Sequence, residues 1–371
     1  MILQLKKITL QYIISLVHKT YRFFDTKIKG EKLMNIVFVG FRHRHTSAIF
    51  EEAMADPNVN VLGAWEETEI GRELAEGTGI EFNYSSLEEV LADPRVDAVN
   101  LGGCYGDRGA HAIAALKAGK HVYGDKPICT SLSELDEIEK LAKEKNLKVG
   151  CYLTMRFMGG MRNIREMISD GTLGEIGTIN MTGQHPLQYG TRPMWYFEKG
   201  KHGGTINDIA IHGMDLVRFL TGYGLKKVHG ARTWNHFATE VPEFCDCGQF
   251  MVELENGAGF TADVSYAAPA SCGFSLETYW RTTVWGTRGV AEYKLKAASA
   301  GIDSDVGAQL MVALDGSDGF KKVELKKYDV TGIGEFVREI NGETDLLIDT
   351  AEVIRTSREI LTIQAAADAN K

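Results

Sequence analysis

The sequence predicts a two-domain α/β protein: a doubly wound parallel sheet with helices on both faces, then an α+β domain with a mainly antiparallel sheet. Three observations predict it. The chain has 371 residues, more than one core usually serves. From Met34 to about 153, short apolar strands alternate with helical segments. Beyond about 175, period-2 strands separated by turns take over. The expected division is 1–33 as a basic leader outside the folded core, 34–153 as the first domain and 154–371 as the second.

Composition narrows the class. Hydrophobic content of 44% and charged content of 25% are those of an ordinary globular protein. A net charge of −9 argues against nucleic acid or an anionic membrane as partner. Six cysteines lie scattered without disulfide spacing, which suggests reduced thiols and a cytoplasmic protein. Cys245-x-Cys247 has no second pair or nearby histidine, so no metal site is expected. In the leader, Lys6, Lys7, Lys19, Arg22, Lys27, Lys29 and Lys32 oppose only Asp25 and Glu31. It has no run long enough to span a bilayer and no secretory cleavage pattern. Met34 is read as the natural start, with an interfacial amphipathic anchor as the alternative for residues 1–33.

Residues 34–40 are a continuous apolar strand closed by glycine, as a buried parallel strand is. A helix is expected over 45–55, a strand over 59–64 and a helix over 68–77. Ser86 can N-cap a short helix over 87–92 that Asp93-Pro94 stops. Residues 97–102 read as a strand, and 107–118 as a helix that Gly119 closes. A strand over 121–124, a charge-paired helix over 131–146 and a strand over 147–153 complete the domain. In such sheets ligands bind at the carboxyl ends of the strands.

Those ends carry the candidate chemistry. The first turn, Gly40-Phe41-Arg42-His43-Arg44-His45-Thr46, keeps only one glycine of the G-x-G-x-x-G dinucleotide pattern. A helix N-terminus with Arg42 and Arg44 beside it still suits a phosphate. Glu66 ends the second strand, where an acid would bond adenosine ribose hydroxyls and favour NAD; Glu67 competes with it, and the arginines leave NADP open. Lys126, in Gly124-Asp125-Lys126-Pro127, is placed for proton transfer or for binding a substrate hydroxyl. Later, Gly203-Gly204 precedes a helix that would set Asp208, His212 and Asp215 on one face. A carboxylate one turn from an imidazole suits a general base; the plainer alternative is an N-cap and a half-buried histidine.

Ala118-Gly119-Lys120-His121-Val122-Tyr123-Gly124-Asp125-Lys126-Pro127 together with Gly203–Asp215 resembles the Gfo/Idh/MocA oxidoreductases. Gly286-Thr287-Arg288-Gly289 and the run 335–367 are similar to that family's second-domain turn and closing helices. The resemblance implies a nicotinamide-binding Rossmann domain and a C-terminal α+β domain with a large, open, mainly antiparallel sheet. It implies Lys126, Asp208 and His212 as the catalytic set. Gly40, Arg42, His43, Glu66, Gly102, Gly103, Asp125, Lys126 and Pro127 are then the candidate cofactor contacts, with NAD, or NADP, as cofactor. Departures are Asp125 for glutamate, the rebuilt loop at Arg108 and Ala210 for glycine.

The second domain should begin with a strand over 175–185. A long loop follows over 186–202, in which Trp195 and Tyr196 could stack on a sugar, or anchor the loop. Strands are expected over 228–236, 249–255, 257–266, 275–285 and 290–295, with a hairpin turn at Asn256-Gly257. Arg156, His185 and Trp195 join Lys126, Asp208 and His212 as candidate substrate contacts, a domain-linking ion pair being the alternative for Arg156. The expected activity is NAD(P)-dependent hydride transfer at a secondary alcohol or ketone of a sugar or polyol. The alternatives are an NAD-dependent glycosidase using transient oxidation and a non-catalytic sugar or dinucleotide sensor. A homodimer or homotetramer through the C-terminal sheet is expected.

Overall fold

The computed structural model describes residues 33–277, 279–296 and 305–370. The expected leader therefore lies outside the described residues except for Leu33.

Strand β1 (Met34–Val39) is buried along almost its whole length and lies between β2 (Val59–Trp65) and β3 (Ala98–Leu101). With β4 (His121–Gly124) and β5 (Val149–Cys151) they form a sheet of order β2-β1-β3-β4-β5, parallel throughout. Ile36, Val37 and Phe38 are fully buried, each contributing about 1.5–3 kcal/mol of apolar burial. The helices are α1 (His45–Ala55), α2 (Glu69–Leu74), α3 (Leu87–Ala92), α4 (Tyr105–Lys117) and α5 (Leu132–Lys145). Thr68, Ser86 and Ser131 N-cap α2, α3 and α5. Parallel strands bring all carboxyl ends to one edge, which gathers Gly40, Glu66, Gly102-Gly103 and Asp125-Lys126.

The second sheet has eight strands in the order β13-β12-β11-β10-β6-β9-β8-β7. These are β6 (Ile176–Pro186), β7 (Leu225–Trp234), β8 (Cys247–Leu254), β9 (Gly259–Ala268), β10 (Trp280–Gly286), β11 (Gly289–Leu295), β12 (Gln309–Leu314) and β13 (Lys321–Val323). All neighbours are antiparallel except β6 with β9. The strand expected from 275 begins at Trp280, because Gly273–Ser275 makes a 3-10 turn first. Strands β12 and β13, at the edge, were not foreseen. Ile179, Met181, Val252, Phe260 and Val284 fill the inner face, and the outer face exposes Met251 (54%) and Trp285 (47%).

Helices α6 (Gly159–Ser169), α7 (Ile211–Thr221), α8 (Gly332–Ile340) and α9 (Thr350–Asp368) complete the fold. Helix α8 returns to the first domain, where Ile333, Phe336 and Val337 pack with Phe38 and Tyr123. Helix α9 sends Gln364 to accept from the backbone N–H of Ile206 and Asn207. Those donors open the segment that carries the candidate chemistry.

Candidate active site

That segment does not start as an α-helix. Ile206–Ala210 is a π turn, and α7 follows from Ile211. In a π turn the hydrogen bond runs i to i+5, so 100° spacing does not hold through Asp208. Asp208, His212 and Asp215 accordingly reach three different partners instead of sharing one face. Gly203 and Gly204, at φ +79° and +97°, pass against Thr130 and Gln364, which Cβ atoms there would meet at 2.3 Å. The close approach the glycines permit is to the protein itself.

Asp208 is the centre of a buried polar chain. Lys126 Nζ donates to Asp208 Oδ1 at 2.6 Å and to the Asp208 carbonyl at 2.8 Å. Tyr266 donates its hydroxyl to Asp208 Oδ2. His202 Nε2 lies 2.8 Å from the Tyr266 hydroxyl and 3.4 Å from Asp208 Oδ2. Burial pushes the Asp208 carboxyl up, but Lys126 and His202 outweigh it and hold it well below the usual carboxylate range. Tyr266 and His202 were not singled out in sequence; Tyr266 lies 58 and 64 positions from Asp208 and His202, and no local pattern marks either residue.

His212 does not hydrogen-bond Asp208, contrary to the expected carboxylate–imidazole pair; the Asp208 oxygens meet Lys126, Tyr266 and His202. Its ring lies 5.4 Å from that of Trp280, and its buried Nδ1 has no hydrogen-bond partner. Burial first, and Lys126 second, hold the imidazole well below its ordinary pKa, so it is neutral. Asp215 pairs instead with Arg156 in a buried ion pair, and Arg156 also donates to the Leu347 carbonyl. Arg156 is 1% exposed. The ion pair ties the segment after β5 to α7 and to the chain between α8 and α9, as the ion-pair alternative for Arg156 expected.

The Asp125-Lys126-Pro127 turn is held from beneath by Arg108. Its guanidinium donates to the carbonyls of Gly103, Asp125, Lys126 and Pro127 and to Asp125 Oδ2. Asp125 is fully buried. Its oxygens meet His43 Nδ1 at 2.8 Å, His45 Nδ1 at 2.9 Å and the Lys126 amide at 2.8 Å. This side chain, an expected cofactor contact, ties the first turn to the lysine turn.

At the dinucleotide edge, Gly40 has φ +85°, and a Cβ there would lie 2.8 Å from the Gly103 amide nitrogen. A Cβ on Gly102 would lie 2.3 Å from the Gly40 carbonyl oxygen. These bare approaches are what a dinucleotide turn requires. Glu66, the expected ribose acceptor, is already engaged by the protein. It is 1% exposed and accepts from the Phe41 amide, Arg42 Nε, the Thr68 amide and the Thr68 hydroxyl. The exposed acid at that rim is Glu67, paired with Arg42 at 2.9 Å.

A cleft of about 480 Å³ separates the two domains and is lined by His43, His45, Lys126, His185, Arg192 and Asp208 among others. His185 Nε2 is 2.8 Å from the Tyr279 hydroxyl, its buried Nδ1 has no partner, and burial keeps it neutral. The long loop crosses the cleft as a packed strap. Trp195 is 5% exposed, donates Nε1 to the Arg42 carbonyl and packs on Tyr105 and Tyr196. These contacts anchor the loop, the alternative weighed beside stacking on a sugar.

Comparison with known proteins agrees with this architecture. Residues 34–153 match the model described as "Oxidoreductase family, NAD-binding Rossmann fold". Residues 161–292 match the "GFO/IDH/MocA C-terminal domain". Thermotoga maritima myo-inositol 2-dehydrogenase is 28% identical over 157 residues, 42% of this chain and 46% of that protein. A Bacillus subtilis scyllo-inositol 2-dehydrogenase (NADP(+)) is 25% identical over 202 residues, 53% of this chain and 55% of that protein. The chain thus spans about half the length of the curated relatives it matches. Among solved structures, the NAD-binding protein from Listeria innocua superposes with TM-score 0.70 at 25% identity, covering 92% of this chain and 96% of that one. The aldose-aldose oxidoreductase from Caulobacter crescentus gives 0.74 at 18%, covering 92% and 99%; at that identity the likeness is one of fold. With both halves of its fold matched in order, the chain belongs to the Gfo/Idh/MocA oxidoreductase family and carries that family's NAD-binding Rossmann domain.

Proposed function

We propose that the chain is an NAD(P)-dependent oxidoreductase acting on a secondary alcohol or ketone of a sugar or polyol. The observation that carries this reading is the Lys126–Asp208 pair. Residues 82 positions apart meet at 2.6 Å, both lining the interdomain cleft at the carboxyl end of β4. The named activities of the inositol relatives support the substrate class.

The residues present fit a dinucleotide. Gly40 and Gly103 supply the bare turn, and Arg42 and Arg44 supply cations at the N-terminus of α1 for a diphosphate. Arg42 lies across the adenosine-side groove between Glu66, Glu67 and Cys104, so its guanidinium must leave Glu67 to admit that half. When bound, the nicotinamide supplies the hydride acceptor. Lys126 spends two N–H donors on Asp208 and keeps a third for the substrate oxygen, where its charge stabilises a developing alkoxide. His212, neutral and packed edge-on to Trp280, is the proposed acceptor of the hydroxyl proton. Asp208 fixes Lys126 in place, and Tyr266 with His202 fixes Asp208.

The test is fluorescence titration with NADH and NADPH, then absorbance at the reduced-nicotinamide band with a panel of polyols and sugars. His212→Ala should bind the dinucleotide as the parent does and lose turnover by about 10²–10⁴-fold. Tight binding without turnover on any polyol would move the reading to the glycosidase or the sensor. Unchanged turnover in the variant would remove His212 from the mechanism.

A further inference from the structure

We propose that His43, His45 and Asp125 form a binding site for one divalent transition-metal ion, of the zinc class, at the floor of the interdomain cleft. Among the described residues this is the one group of three whose ligand atoms all lie within 4.8 Å of one another. Its donors are two imidazole nitrogens, His43 Nδ1 and His45 Nδ1, and the Asp125 carboxylate, at 2.8 and 2.9 Å from the nitrogens. Two imidazoles and one carboxylate are a set that zinc and its neighbours take, leaving further positions open.

Three features of the surroundings favour an ion. The site is built before any ion arrives: Arg108 Nη2 and the Lys126 amide hold the two Asp125 oxygens, and Arg108 is itself fixed by four backbone carbonyls. Outer partners of this kind orient metal-bound carboxylates. The imidazoles meet edge to face at 4.2 Å between centroids, so both rings are already turned onto the carboxylate. His43 Nδ1 also lies 3.4 Å from the His45 amide, a donor that favours a lone pair on that nitrogen. With the lone pair there, a cation between nitrogen and carboxylate satisfies both.

The chemistry also restricts the ion. Asp125 is the single carboxylate, and it shares its charge with Arg108. Magnesium and calcium depend on several anionic or carbonyl oxygens and find too few here. Ligands at about 2.1 Å around a tetrahedral ion stand roughly 3.4 Å apart, so each nitrogen–oxygen pair has to part by about half an ångström. Both histidines line the cleft that also holds Lys126 and Asp208, so the open positions would face a ligand oxygen there.

The test is independent of turnover and of the role assigned to His212. The full-length protein is stripped with a chelator and equilibrated with Zn²⁺ or Co²⁺. After desalting, its metal content is counted and X-ray absorption is recorded on the parent. One equivalent per chain with only nitrogen and oxygen neighbours is expected. His43→Ala and His45→Ala should each weaken binding beyond the roughly 10–100-fold that loss of an outer partner costs. A Cys245→Ser, Cys247→Ser double variant should retain the ion. Circular dichroism checks that the variants fold, and the absorption spectrum of the parent needs no variant. Loss of the ion on desalting would show a hydrogen-bonded clamp only. Sulfur neighbours at about 2.3 Å, or folded histidine variants that still bind, would equally overturn the site.

Discussion

Replacing Asp208 by asparagine asks how much the fold depends on the pair that the proposed chemistry uses. Lys126 Nζ and Asp208 Oδ1 lie 2.6 Å apart, with side-chain exposures of 4% and 3%. At an effective dielectric of about 20, a contact of that length carries roughly 6 kcal/mol of attraction before desolvation is subtracted. Removing one partner strands the other charge in the interior, which typically costs about 3–5 kcal/mol. The Asp208 carbonyl still accepts from Lys126 at 2.8 Å in the variant, so the lower end, about 3 kcal/mol, is expected. For domains of this size that is a fall in Tm of roughly 6–12 °C. Lys126→Met combined with Asp208→Asn removes both charges and should recover much of the loss, because a buried pair can give way to apolar groups at little net cost. Thermal melts of the parent, both single variants and the double variant measure the coupling. A double variant that melts below Asp208→Asn, or a single variant within about 1 °C of the parent, would refute the buried-pair argument.

Arg156→Met should lower Tm comparably, since Asp215 is left buried and charged, while KM for dinucleotide and substrate stays within about twofold; a raised KM at unchanged Tm would return Arg156 to the binding site. Glu52 gives a pH signature: burial, opposed by hydrogen bonds from Tyr152 and the Ile333 amide, raises its carboxyl from 4.5 to about 7. The folded state keeps a proton that the unfolded chain releases, so this contribution is full below pH 4.5 and lost as pH rises through 7. Glu52→Gln should recover about 2–3 kcal/mol at pH 8 and little at pH 4, and an unchanged pH slope of Tm would exclude the assignment. The outer face of the second sheet, with Met251 and Trp285 exposed, is proposed to pair two copies; light scattering should show a dimer or tetramer that Met251→Glu with Trp285→Glu reduces to monomers, and a monomeric parent would contradict it.

The fold was legible because its signals are local. A run such as Met34–Val39 reads as a buried strand from hydropathy alone, and Ser86 announces its helix by capping it. What was missed depends on distant partners. Strands β12 and β13 sit at a sheet edge, where half-buried residues give weak alternation. The candidate site behaved the same way. Residue types at Lys126, Asp208 and His212 were legible, but not which would pair. Asp125 meets His45 across 80 positions, and Tyr266 meets Asp208 across 58. Nothing local showed that the Phe41 amide would engage Glu66 or that Trp195 would reach the Arg42 carbonyl.

The pairing of Asp208 decides the pH behaviour of the reaction. A carboxylate bonded to His212 would raise the imidazole pKa and place the acid limb of kcat/KM at or above its ordinary value. Here the π turn gives Asp208 to Lys126, and His212 meets burial and the lysine charge instead. Both effects disfavour the imidazolium, so the limb should fall below the ordinary value of 6.5. On the proposed chemistry, His212 is then a weaker base but deprotonated at neutral pH, and the developing alkoxide leans more on Lys126 for stabilisation. Steady-state kinetics between pH 5 and 9 on any turned-over polyol would read the limb directly. A limb above 6.5 that His212→Ala abolishes would mean that a carboxylate reaches the histidine during turnover, and that the π-turn arrangement is not the one that reacts.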